Sequence, residues 1–160
     1  MTGEVLERKQ EAHSRARLRL WLRLLKVSRK IEGQLRERLR TDFATTLPRF
    51  DVMAALNRHA EGLKMSQLSG VLRVSNGNVT GIVDRLVEEG LVVRVPVKGD
   101  RRAFLVQLTE RGKAHFARQA EAHAGWIDEL LGDFPAEEAD GLAHRFDALA
   151  QLLDGLETRR

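Results

Sequence analysis

Two short stretches of this chain hold side chains whose type and spacing suit contact with a polyanion. The first is Ser75-Asn76-Gly77-Asn78-Val79-Thr80-Gly81, followed by Arg85. Ser75 is a good helix N-cap, and Gly90 stands where a helix would stop, so residues 75–90 read as one helix. Asn76 and Asn78 in its first turn carry carboxamides that match the edge of adenine bidentately. The helix start itself favours a phosphate. Thr80 suits a thymine methyl or a phosphate, and Arg85 a phosphate or a guanine. At about 100° per residue, Val79, Ile82, Val83, Leu86 and Val87 share one arc, while Gly77, Thr80, Gly81, Asp84 and Glu88 share the opposite one. Two glycines on an exposed helical face cost about 2 kcal/mol together relative to alanine. Close approach of another backbone explains such a sacrifice. Asp84 and Glu88 oppose a polyanion unless Arg85 or an arginine of the following hairpin pairs with them.

The second stretch is Lys98-Gly99-Asp100-Arg101-Arg102, set between two β-rich runs at residues 91–97 and 103–108. Gly-Asp is hairpin-turn chemistry, and arginines on a ribbon fit a narrow minor groove with its enhanced negative potential. Pro96 cannot donate to a ladder, so its strand should lie at an edge or end there. Each stretch alone also suits a plain capped helix start or a solvated turn; it is their succession that points to one surface.

The elements that must position these side chains follow from periodicity. Residues 15–40 read as one long helix, with Leu18, Trp21, Leu22, Leu25, Ile31, Leu35 and Leu39 at three- and four-residue steps. Pro48 opens a second helix, a third covers residues 65–72, and the helix at 75–90 is the fourth. Thr109 caps a fifth helix, and Pro135 introduces a sixth carrying Leu142, Phe146, Leu149, Leu152, Leu153 and Leu156. Three short helices followed by a two-stranded ribbon make a winged helix-turn-helix, so the fold expected is mainly α with a small β-hairpin. The expected division is a flexible tail at 1–14, dimerisation helices at 15–47, the winged module at 48–108, and further dimerisation helices at 109–160.

Composition narrows the function. The 160 residues carry a net charge of +4 and no cysteine, which removes disulfides, thiol nucleophiles and sulfur-ligated zinc. From Arg8 to Arg40 the chain places 12 basic residues against three acidic ones, an asymmetry suited to a polyanionic partner or to a solvated helix. No apolar run approaches the length of a membrane span, and the N-terminal stretch lacks the apolar core of a signal peptide, so no membrane partner and a cytoplasmic address are expected. The five histidines show no metal-helix spacing, and no phosphate loop or nucleophile elbow appears. An enzyme, a cofactor and a metal site are therefore not expected.

Val74-Ser75-Asn76-Gly77-Asn78-Val79-Thr80, Val83-Asp84-Arg85-Leu86 and Glu89-Gly90-Leu91-Val92 resemble the recognition-helix segment of the multiple-antibiotic-resistance regulator (MarR) family. Asp100-Arg101-Arg102-Ala103 and Leu108-Thr109-Glu110-Arg111-Gly112 are similar to that family's wing motif, Asp-x-Arg and then Leu-Thr-x-x-Gly. Lys64-Met65 departs from the family, which often has a threonine cap there. The resemblance implies a ligand-responsive, sequence-specific repressor that binds double-stranded DNA as a homodimer, with half-sites about 34 Å apart. It implies that Ser75, Asn76, Gly77, Asn78, Thr80, Gly81 and Arg85 form the reading face, and Lys98, Asp100, Arg101 and Arg102 the wing contact. It also implies a small-molecule effector beside the dimerisation helices, with candidate contacts Trp21, Leu25, Ser28, Arg29, Phe43 and Trp126. A narrower likeness, through Thr45-Thr46-Leu47-Pro48-Arg49-Phe50-Asp51, is to the branch that senses aromatic acyl-CoA thioesters. Arg36, Arg38, Arg40 and Lys30 would then meet CoA phosphates. The alternative is an architectural DNA-binding protein with no effector.

Overall fold

The computed structural model describes residues 3–72 and 76–157. Its order is α1 (Gly3–Phe43), α2 (Leu47–Arg58), β1 (Leu63–Lys64), α3 (Met65–Leu72), α4 (Asn76–Glu88), β2 (Val92–Val97), β3 (Asp100–Leu108), α5 (Glu110–Leu130) and α6 (Ala136–Glu157). The first helix corrects the expected tail, because residues 3–14 continue α1 without a break. This stretch is rich in Glu, Leu, Lys, Gln, Ala and Arg, has no proline, and gains an Arg15–Glu11 pair at 3.6 Å across one turn. At the other end Ala44 takes a positive φ of 49°, which turns the chain out of α1.

Capping sets the next boundaries. The Thr46 hydroxyl accepts from the Arg49 N–H at 3.4 Å, and Pro48 sits in the first turn of α2, where its missing N–H costs nothing. The absent threonine cap of α3 is made good from the other side. Gln67, three residues inside the helix, accepts from the Lys64 N–H at 2.9 Å, which is the return half of a capping box. At the end of α4, Gly90 at φ 72° donates to the Val87 carbonyl while Leu91 donates to Leu86, both at 2.9 Å. That pair of bonds is a Schellman stop.

The sheet has three strands rather than two, in the order β1-β3-β2, all antiparallel. Strand β1, two residues long, lies below the length that alternation can reveal. Pro96 does fall on an edge strand, β2. Val97 pairs with Asp100 but Pro96 pairs with Phe104, so residues 101–103 form an irregularity on β3 at the tip. Strand β3 therefore begins at Asp100, earlier than the expected 103.

Two compact units are present, one ending at His123 and the other beginning at Ala124, within α5. The expected boundaries at 47/48 and 108/109 separate roles and are not the limits of these packing units. Burial explains why: Leu35 and Leu39 of α1 and Phe116 of α5 are buried with Phe50, Val52, Met53, Leu56, Leu68, Val79, Val83, Leu86 and Val106. Phe50 packs against Phe116 and stacks on His123, with ring centroids 5.4 and 4.7 Å apart. In the second unit, α6 buries none of its described residues. Leu142, Phe146, Leu149, Leu152, Leu153 and Leu156 remain 41–62% exposed. No helix among the described residues is long and apolar enough to cross a membrane.

Candidate nucleic-acid interface

The apolar arc of α4 faces inward as its periodicity predicts. Val79, Val83 and Leu86 are fully buried, and Ile82 and Val87 half-buried. The opposite arc is outward: Gly77, Asn78, Thr80, Gly81, Arg85 and Glu88 are exposed. Ser75 lies outside the described residues, as does the side chain of Asn76. A Cβ added at Gly77 or Gly81 would meet no described heavy atom within 4 Å beyond the helix's own backbone. Among the described residues, nothing in the chain's own packing therefore asks for glycine at either position.

Asp84 would place a carboxylate on this face, and the structure supplies the cation that offsets it. Arg94 of β2 donates to the Asp84 carboxylate, tying the outer side of α4 to the wing. The partner is thus a hairpin arginine and not Arg85. The clue in the sequence is a lone arginine inside the apolar run Val92-Val93-Arg94-Val95, on the strand that follows the helix.

A second clamp holds the far end of the helix. Arg49 of α2 donates to both oxygens of Glu89 at 2.8 and 2.5 Å, a bidentate fork. Those hydrogen bonds from Arg49, against a smaller opposing effect of burial, hold the Glu89 carboxyl below its usual pKa. The base of the wing is equally fastened. Thr109 donates its hydroxyl to the Gly90 carbonyl at 2.8 Å and accepts from the Gly112 N–H at 2.9 Å, which caps α5. A Cβ on Gly112 would stand 1.9 Å from the Leu91 carbonyl oxygen, so only glycine fits.

At the tip, Gly99 at φ 88° makes the turn, and Lys98, Asp100 and Arg102 are exposed. Asp100 accepts from the Arg102 N–H at 3.0 Å, so its carboxylate shapes the turn that carries the arginine. The Arg101 side chain lies outside the described residues.

The expected effector residues are spread out. Trp21, Ser28 and Arg29 are exposed on α1, with Leu25, Arg38 and Phe43 half-buried there. Arg36 pairs with Glu32 at 3.3 Å and Arg40 with Glu37 at 2.6 Å, while Trp126 belongs to the second unit. None of them lines the cleft of about 340 Å³ that opens between α2, α3 and α4. Its walls are Pro48, Asp51, Val52, Leu72, Asn78, Val79 and Ile82. Sequence reasoning misses this cleft because its lining comes from three helices and is mostly ordinary core.

An exposed helix of low side-chain bulk, pinned to a three-stranded wing tipped with cations, defines a winged helix-turn-helix DNA-binding module. Comparison with known proteins agrees. Residues 45–103 match the model of the MarR family. The chain is 32% identical over 117 residues to the HTH-type transcriptional regulator PecS of Dickeya dadantii, covering 72% of this chain and 70% of that one. It is 31% identical over 115 residues to the transcriptional activatory protein BadR of Rhodopseudomonas palustris, covering 70% of this chain and 64% of that one. A MarR variant from E. coli, solved in complex with operator DNA, superposes with a TM-score of 0.71 at 28% identity, over 81% of this chain and 92% of the other. The chain belongs to the MarR family of DNA-binding transcriptional regulators.

Proposed function

We propose that this protein is a ligand-responsive repressor that reads a pseudo-palindromic operator as a homodimer. The observation that carries the reading is the outer face of α4. Two glycines there have no packing role among the described residues, and Asp84, one of the two acidic residues of that face, is paired with Arg94. Asn78, Thr80, Gly81 and Arg85 then face base edges and phosphates, with Ser75, Asn76 and Gly77 at the helix start. Lys98, Arg101 and Arg102 enter the flanking minor groove, on a turn that Asp100 shapes.

The exposed leucine and phenylalanine stripe of α6 supports the homodimer, since so much apolar surface on one helix is usually covered by a partner. Two copies related by a twofold axis would present two reading helices about one DNA turn apart. The cleft between α2 and α4 supports an effector, because its volume lies within the range of small-molecule sites and α4 forms one wall. An occupant shifts DNA affinity only by binding one arrangement of α4 better than another. An aromatic acyl-CoA finds less support: Arg36 and Arg40 are engaged with Glu32 and Glu37, and the ionisable lining residue of the cleft is acidic.

Footprinting on the intergenic DNA beside the gene tests the main reading. A protected stretch with twofold sequence symmetry, retained against bulk DNA at a ratio of order 10³ or more, is expected. Uniform protection would instead indicate the architectural DNA-binding protein. Transcription from that promoter in vitro separates repression from activation.

A further inference from the structure

We infer that the cleft between α2, α3 and α4 selects an apolar molecule bearing a cationic group and discriminates against carboxylates and phosphates. Five of its seven lining residues, Pro48, Val52, Leu72, Val79 and Ile82, are apolar, and Asn78 contributes a neutral amide. The remaining one, Asp51, is the only one of the seven that ionises. A carboxylate accepts hydrogen bonds and attracts an ammonium, while a second anion beside it would be repelled and partly stripped of water.

Among the described residues, the surroundings of Asp51 do not reverse that preference. Asp51 is exposed, yet the apolar wall beside it removes enough water to raise its carboxyl above the ordinary range, with His123 acting in the opposite sense. The His123 ring of α5, stacked on Phe50, is itself held below its usual pKa by burial and so stays neutral at pH 7. Glu32 and Arg36 of α1 also act on Asp51, but they pair with each other at 3.3 Å. Arg58 of α2 acts on it too and does not line the cleft. A ligand ammonium would therefore supply the countercharge that the described lining lacks. The site matters for regulation because Asn78 belongs both to this cleft and to the outer face of α4. That consequence, unlike the binding itself, rests on the effector reading above.

The test uses three probes with one ring and similar size but different charge: phenethylamine, phenylacetamide and phenylacetate. Titration into the full-length protein, followed by calorimetry and by amide shifts of Asn78, Val79 and Ile82, should rank them in that order. Phenethylamine should bind at least about tenfold tighter than phenylacetate, as expected when an attractive charge contact replaces a repulsive one beside an apolar wall. Asp51→Asn should bring the two within about twofold of each other by removing that contact. Phenylacetate binding as well as the amine, or no probe moving those amides, overturns the inference. The wild-type ranking decides the matter even if the variant folds poorly. If the amine binds the cleft but leaves operator affinity unchanged, the charge selectivity stands and the effector role falls.

Discussion

Gly112 and Gly81 stand in two parts of the same module and make opposite demands. At Gly112 a single added carbon would strike the Leu91 carbonyl, and the surrounding groups are all engaged: Thr109 with Gly90 and Gly112, Leu91 with Leu86, Arg49 with Glu89. At Gly81 an added carbon would meet open space. One glycine is required by the fold and the other is not. The family motif that contains Gly112 is therefore architecture, whereas no contact among the described residues asks for the glycines of α4.

That contrast breaks most visibly at its structural pole. Gly112→Ala should destabilise the protein by about 3 kcal/mol, because two backbones must part to admit the methyl group. Urea unfolding would read this as a lower midpoint with an unchanged slope. Gly81→Leu should leave the unfolding midpoint near wild type but remove operator binding in a gel-shift assay. Unchanged affinity would show that this face of α4 does not dock. The milder Gly81→Ala sharpens the point, since helix propensity predicts a gain of about 1 kcal/mol in stability together with weaker DNA binding. Opposite signs in one variant are hard to obtain from a purely structural residue.

Arg102→Ala should weaken the operator complex and flatten its salt dependence by about one unit for each phosphate that the arginine neutralises. Smallest of all is a pH effect at Asp51. Its raised pKa means that the folded state binds the proton more readily than the unfolded chain, so stability falls as pH rises through the window from the ordinary carboxylate value to the raised one. Asp51→Asn should therefore be slightly more stable than wild type at neutral pH, and the gain should vanish in acid. Thermal melts at several pH values check both the sign and the window.

Much of this module is legible in the sequence. The two arcs of α4, its stop at Gly90, the cap at Thr109 and the edge position of Pro96 all follow from local chemistry, because each depends on neighbours within a few residues. What escapes depends on contacts across the chain. Strand β1 exists only because Leu63 and Lys64 lie opposite Val106 and Leu105. The Arg94–Asp84 and Arg49–Glu89 pairs join residues 10 and 40 positions apart. Residues 3–14 read as a tail because their apolar positions are sparse, yet good helix formers carry α1 through them. The cleft is hidden for a related reason: Pro48, Asp51 and Ile82 signal helix starts and core positions, not a shared cavity wall.

The bidentate fork from Arg49 has a mechanical consequence. It fastens α4 near its C-terminal end, whereas the cleft residues Asn78, Val79 and Ile82 lie on the N-terminal half. Thirteen residues make a rod roughly 20 Å long. Because Arg94 also holds Asp84, the arm free to tilt runs from Asn76 to Asp84, roughly 12 Å, and a tilt of about 5° carries its tip through roughly 1 Å. A push on that arm from the cleft would reach the outer face of α4 through the helix itself, not through any intervening side chain.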